Sequence, residues 1–135
     1  MAARYLLDTN ICIYIHRQRQ PEVLARFRRL DAGEATISVI TYGELLCGAA
    51  KSKMRSRALA VIEEFTNFVD VLPLSKEIAR IYGDIRAALE ARGEVIGAND
   101  MWIAAHAKAS NLILVTNNER EFKRVPGLKI QNWVE

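Results

Sequence analysis

The chain has 135 residues, 50% of them hydrophobic and 26% charged, a composition that fits one compact domain with a real core. No apolar run approaches the roughly 20 residues needed to span a bilayer, and the N-terminus lacks a signal-peptide pattern, so a cytoplasmic location without membrane association is expected. The formal net charge of +3 and pI near 9.0 suit a polyanionic partner without requiring one.

Tyr5-Leu6-Leu7 is a short apolar run ending in Asp8-Thr9-Asn10, which predicts a buried strand feeding a helix through cap-forming residues. Pro21 suits the first turn of a second helix reaching about Leu30, stopped by Asp31-Ala32-Gly33. Thr36–Val39 reads as a strand, Thr41–Ala50 as a helix, and Ser56–Phe68 as a longer helix with apolar residues at helical spacing. A short strand over Val69–Leu72 follows. Ser75 then caps a helix in which Ile78, Ile81, Ile85 and Leu89 form one stripe, ended by Arg92-Gly93. Gly97-Ala98-Asn99 opens the next helix, Leu112–Val115 is a four-residue buried strand, and Leu128–Ile130 is a candidate last strand. Alternating strands and helices predict an α/β fold with a mainly parallel central sheet flanked by helices, spanning 1–135 as a single domain, with ligands at the C-terminal strand ends.

Positive charge gathers in two stretches. Arg17, Arg19, Arg26, Arg28 and Arg29 have Glu22 as the only acid before Asp31, and Lys51, Lys53, Arg55 and Arg57 have none among them. Such runs are solvated surface unless chemistry nearby gives them phosphates to hold. Cys12 and Cys47 lie in apolar stretches without a CxxC or Cys/His cluster, so both are expected to be small buried hydrophobes. His16 and His106 are candidate general bases or ordinary surface or half-buried histidines. Trp102 suits either base stacking or core packing.

Three acids have ordinary explanations one at a time. Asp8 suits a helix cap, Thr41-Tyr42-Gly43-Glu44 fits a capping box, and Asp100 falls in a first helical turn, where the macrodipole favours a carboxylate. Together they mean more, because Asp8, Asp100 and Asn118 follow or adjoin predicted strand ends and Glu44 opens the helix after another strand. Carboxylates gathered at one sheet edge repel one another unless a cation balances them. An all-oxygen ligand set selects a hard ion, Mg²⁺ or Mn²⁺.

At these residues the chain resembles PIN-domain ribonucleases, specifically the VapC toxins of bacterial type II toxin–antitoxin pairs. The matching segments are Leu6–Asn10, Ile40–Leu45, Gly97–Ala107 and Val115–Phe122, in the family's order. The resemblance implies a PIN-like fold, Mg²⁺-dependent cleavage of RNA with Mn²⁺ able to substitute, a homodimer, and inhibition by a VapB-type antitoxin that also binds operator DNA. It implies that Asp8, Glu44 and Asp100 hold the metal. Asn118 stands at a fourth catalytic position that is often Asp in the wider family, with Glu121 as an alternative contributor or a plain surface acid, and Thr116 as a donor to a ligand or phosphate. Transfer RNA, initiator tRNA in its anticodon region above all, is the target the resemblance suggests.

Three rival classes remain beside it. A phospho-aspartyl phosphatase would use Asp8 as nucleophile but usually has a second acid two residues later, where this chain has Asn10. A phosphoacceptor of the response-regulator kind would show paired acids before the acceptor and a lysine after a late strand, yet Thr116 is followed by Asn117. A non-catalytic antitoxin-binding module would not need three intact acids.

Overall fold

The structure, a computed structural model, describes residues 2–134. Its elements are β1 (Tyr5–Leu7), α1 (Thr9–His16), α2 (Pro21–Arg28), β2 (Ala35–Ser38), α3 (Val39–Lys51), α4 (Arg55–Phe68), β3 (Asp70–Leu72), α5 (Lys76–Ala91), α6 (Ala98–Ala109), β4 (Ile113–Val115), α7 (Glu119–Phe122) and β5 (Ile130–Gln131). The strands form one sheet in the order β3-β2-β1-β4-β5, and every pairing is parallel. The expected α/β architecture is therefore present, with a sheet that is wholly rather than mainly parallel.

Strand geometry divides the core between two faces, because successive side chains point to opposite sides. Tyr5 and Leu7 join one cluster with Ile11, Ile37, Phe65 and Trp133, supplied by α1 to α4 and the C-terminal segment. Leu6 joins the other, with Ile85, Leu89, Met101, Ile103 and Leu114, supplied mainly by α5 and α6. Each fully buried aliphatic side chain stabilises this sandwich by roughly 1.5–3 kcal/mol. Trp133, close to the C-terminus, packs edge-on against Tyr5 with ring centroids 5.2 Å apart.

The chain order places β2 and β3 on one side of β1 and β4 and β5 on the other. The sheet thus reverses direction of growth between β1 and β4, and a parallel sheet opens a crevice for ligands at such a switch point, beyond the strands' C-terminal ends. Asp8 follows β1 directly and Thr116 follows β4 directly.

Several boundaries differ from the sequence-based expectation for local reasons. Helix α3 starts at Val39, not Thr41, because Ser38 is its N-cap and its Oγ accepts the Ile40 N–H at 3.1 Å. The β-branched Val39 looks like strand in sequence but occupies the first helical turn. Helix α7 was not anticipated, its single turn being too short for any periodicity to show. The last strand is shifted to Ile130–Gln131. The α5 stop stands: Gly93 has φ +66, a left-handed conformation that costs glycine little, and the Glu94 N–H closes onto the Leu89 carbonyl at 2.9 Å. Among the described residues no helix is long and apolar enough to cross a membrane.

Cys12 is buried as expected, but Cys47 is exposed, since it lies on the α3 face turned away from the core residues Leu45 and Ala49. His106 is also a correction. It is fully buried rather than at the surface, and its Nδ1 shares a 2.8 Å hydrogen bond with Ser38 Oγ. Burial pushes its pKa below the usual imidazole value, so it acts as a neutral pin joining α6 to the start of α3.

Candidate active site

Asp8, Thr9, Asn10, Glu44, Asp100, Asn118 and Phe122 line one cleft of about 160 Å³ beyond the C-terminal ends of β1 and β4. Four elements deliver these groups. Asp8 comes from the β1–α1 junction, Glu44 from the middle of α3, Asp100 from the first turn of α6, and Asn118 from the start of α7.

Asp8 performs the expected capping role and still faces the cleft. Its Oδ1 accepts the Ile11 N–H at 3.0 Å, and its Oδ2 accepts the Thr116 hydroxyl proton at 2.5 Å. A carboxylate oxygen has more than one acceptor direction, so a cation can still be bound. Thr116 was expected to donate to a ligand or phosphate. It instead fixes the Asp8 carboxylate, and its Oγ1 also accepts the Asn118 N–H at 2.9 Å, tying the two sides of the switch point together.

Glu44 sits in mid-helix, so the capping-box explanation fails with the corrected start of α3. Its Oε1 accepts the Thr9 hydroxyl proton at 2.5 Å, and Asn99 Nδ2 reaches Oε2 at 3.5 Å. Sequence reading missed Thr9 as a positioning residue. The available signal was its place beside Asp8 at the strand end, where a short polar side chain has few other partners.

Asp100 does not adjoin a strand end. It follows α5 through the segment 92–97, and α6 carries it to the cleft. Its pKa is raised from 3.8 to about 6, first by burial and then by the negative charges of Glu121, Asp8 and Glu44. Burial also pushes Asp8 up and Glu44 adds to the rise, partly countered by hydrogen bonds from Thr116 and from the Ile11 and Asn10 amides. Glu121 is half-buried and is not among the residues lining the cleft, but its negative charge reaches Asp100. Asn118 lines the cleft with no side-chain hydrogen bond capping α7.

Among the described residues no lysine or arginine lies within ion-pair distance of Asp8, Glu44 or Asp100. Three mutually repelling acids without a protein cation are a site short of positive charge. Their donors are all oxygens, which fit a hard divalent ion. No three of the described acidic, histidine or cysteine side chains already stand in ligating geometry about one point, so the cleft is convergent without being closed.

Neither histidine lines the acid cleft. His16 lines a neighbouring groove between α1, α3 and α4 with Arg17, Leu45, Met54 and Arg57, which Glu44 also borders, and His106 is the buried pin described above. Trp102 stacks on Tyr82 at 3.9 Å with planes 9° apart, which favours packing over a free base-stacking role.

The family pattern described as PIN domain matches residues 5–128. Ribonuclease VapC2 of Haemophilus influenzae is 47% identical over 131 residues, covering 97% of this chain and 98% of the relative. The tRNA(fMet)-specific endonuclease VapC of Shigella flexneri is 45% identical over 130 residues, covering 96% and 98%. Among solved structures, DNA-bound VapBC from Salmonella typhimurium superposes with a TM-score of 0.91 at 40% identity, covering 97% of this chain and 98% of that one. The chain belongs to the PIN-domain family and, within it, to the VapC ribonucleases.

Proposed function

We propose that this chain is a divalent-metal-dependent endoribonuclease, the toxin of a type II toxin–antitoxin pair, using Asp8, Glu44 and Asp100 to hold Mg²⁺ or Mn²⁺. The observation that carries the reading is the convergence of these three acids on one cleft without a protein cation in ion-pair distance among the described residues, two of them with raised pKa values. A bound divalent ion supplies a Lewis acid that withdraws charge from a scissile phosphodiester.

The chain's own residues do the rest. Thr116 and the Ile11 amide fix both Asp8 oxygens, so the carboxylate is aimed before any ligand arrives. Thr9 holds Glu44 where it completes the acid set and orients an attacking water. Asn118 offers a neutral amide at the position where the wider family often has an acid, and Glu121 supplies the fourth negative charge. The phospho-aspartyl alternative gains nothing from this geometry, because Asp8 is buried with both oxygens hydrogen-bonded.

The Shigella and Salmonella relatives named tRNA(fMet)-specific endonucleases support initiator tRNA as the substrate, cut in its anticodon region. The VapBC complexes among the structural neighbours, two of them DNA-bound, support a VapB-type antitoxin partner that carries operator binding. On the family resemblance alone, the toxin is further taken as a cytoplasmic homodimer. Purified protein incubated with total bacterial RNA and Mg²⁺ should release a few discrete fragments whose ends map to initiator tRNA, and EDTA should stop it. Cleavage that persists in EDTA would remove the metal from the mechanism, and ends scattered across all RNAs would remove the tRNA target.

A further inference from the structure

A second, open groove of about 530 Å³ lies beside the acid cleft, lined by Arg92, Glu94, Arg120, Lys123, Arg124 and Pro126. Helix α7 borders both: Phe122 lines the cleft and Glu121 acts on Asp100, whereas Arg120 and the following Lys123 line the groove. The other wall is the segment that starts at Arg92 and leads into α6 and Asp100. Both walls of the groove therefore run to the catalytic acids.

The groove is braced. Arg92 Nη2 donates to the Arg124 carbonyl at 2.6 Å, Arg124 Nη1 donates to the Glu94 and Val95 carbonyls at 3.4 and 3.3 Å, and Arg92 Nε pairs with Glu94 at 3.1 Å. Arg120 and Lys123 are exposed, and among the described residues neither side chain has a hydrogen bond or ion pair. Four cations face a single carboxylate that is already paired, so the groove concentrates as much positive surplus as the whole chain carries, formally +3. Pro126 is its only apolar lining residue. A protein partner binds tightly through apolar and aromatic anchors, which this groove lacks, whereas a phosphate backbone needs only cations.

We propose that this groove binds the sugar–phosphate backbone of the RNA a few nucleotides from the point of cleavage, with Arg120 and Lys123 as its phosphate contacts. The inference rests on the nuclease reading for its substrate and adds the surface that grips it. A helix is about 10–12 Å across, so a strand crossing α7 can occupy cleft and groove together.

The test compares wild type with the double variant Arg120→Glu/Lys123→Glu, measuring binding to bulk transfer RNA in EDTA across a salt series, cleavage in Mg²⁺, and melting temperature. The variant should bind about tenfold or more weakly at low salt, and its plot of log K against log salt should be shallower by about 1.4, or about 0.7 for each lost phosphate contact. Its kcat at saturating RNA and its melting temperature should match wild type. Should charge reversal impair folding, Arg120→Gln/Lys123→Gln should show the same change in slope. A folded variant with wild-type affinity and slope overturns the groove even if wild type cleaves RNA. Wild type that binds RNA through these residues without cutting it upholds the groove and defeats the nuclease reading. Preferential binding of polyglutamate over RNA, lost in the variant, would instead assign the groove to an acidic protein and overturn the proposal.

Discussion

Asp100→Asn is expected to lower RNA cleavage by on the order of 10³-fold while raising the melting temperature of the metal-free protein at neutral pH. Under the proposed function, the loss follows from removing one negative ligand of a cation that would supply several kcal/mol of transition-state stabilisation. The gain follows from the pKa. Asp100 is raised from 3.8 to about 6, so its ionised form is disfavoured in the fold, and a neutral amide removes that repulsion. A residue serving only as a helix-terminal acid predicts the opposite, because losing its interaction with the macrodipole would cost about 0.3–1 kcal/mol. Melting curves in EDTA and cleavage rates in Mg²⁺, taken on the same two proteins, separate the two explanations.

The second large effect is a pH-dependent stabilisation by Mg²⁺. A carboxylate with a raised folded-state pKa contributes stability that is fully present below its ordinary value of 3.8 and lost as pH rises through about 6. Asp8 works in the same direction. His16 and His106, whose pKa values burial lowers, oppose this: the neutral imidazole is favoured in the fold, so their contribution grows as pH rises through 6.5. The raw pH profile therefore mixes both signs. Comparing melting temperatures with and without Mg²⁺ at each pH cancels the histidines. The gain should be small near about pH 5, where protons compete for the acids, and large near about pH 7.5. With Mg²⁺ a hundredfold above its Kd it should reach about 2.7 kcal/mol, on the order of 10 °C for a chain of this size. An equal gain at both pH values would place the bound ion away from these carboxylates.

Much of the architecture was legible in the chain because short apolar runs ended in polar caps, as at Tyr5–Asp8 and Val115–Asn118. Asp8, Glu44 and Asp100 were legible as a set, though not in their local roles. Glu44 looked like a capping-box residue because Thr41 precedes it by three, and only the true cap, Ser38, moves it to mid-helix. Burial of His106 is set by the packing of α6 against α3 and β4, which no local pattern encodes. Glu121 stood in a one-turn helix without periodicity and was legible only as an alternative through the family resemblance; its charge influence on Asp100 depends on tertiary placement. The basic groove was invisible for a related reason. Arg92 has Glu90 and Glu94 beside it and Arg120 lies between Glu119 and Glu121, so neither stretch looks like a charge run, whereas the fold turns their cations to one side. The basic residues of the runs that did stand out, around Arg17–Arg29 and Lys51–Arg57, are exposed, and of them Arg17, Lys51 and Arg57 line grooves that Glu44 also borders.

Mn²⁺ titration of wild type and Asp8→Ala, followed by calorimetry, with RNA cleavage measured on the same preparations, tests the central claim most directly. Wild type should bind the ion saturably and cut RNA, and Asp8→Ala, still folded by circular dichroism, should lose both. Equal Mn²⁺ affinity and equal cleavage in the two proteins would contradict the assignment of these acids as the metal-holding centre.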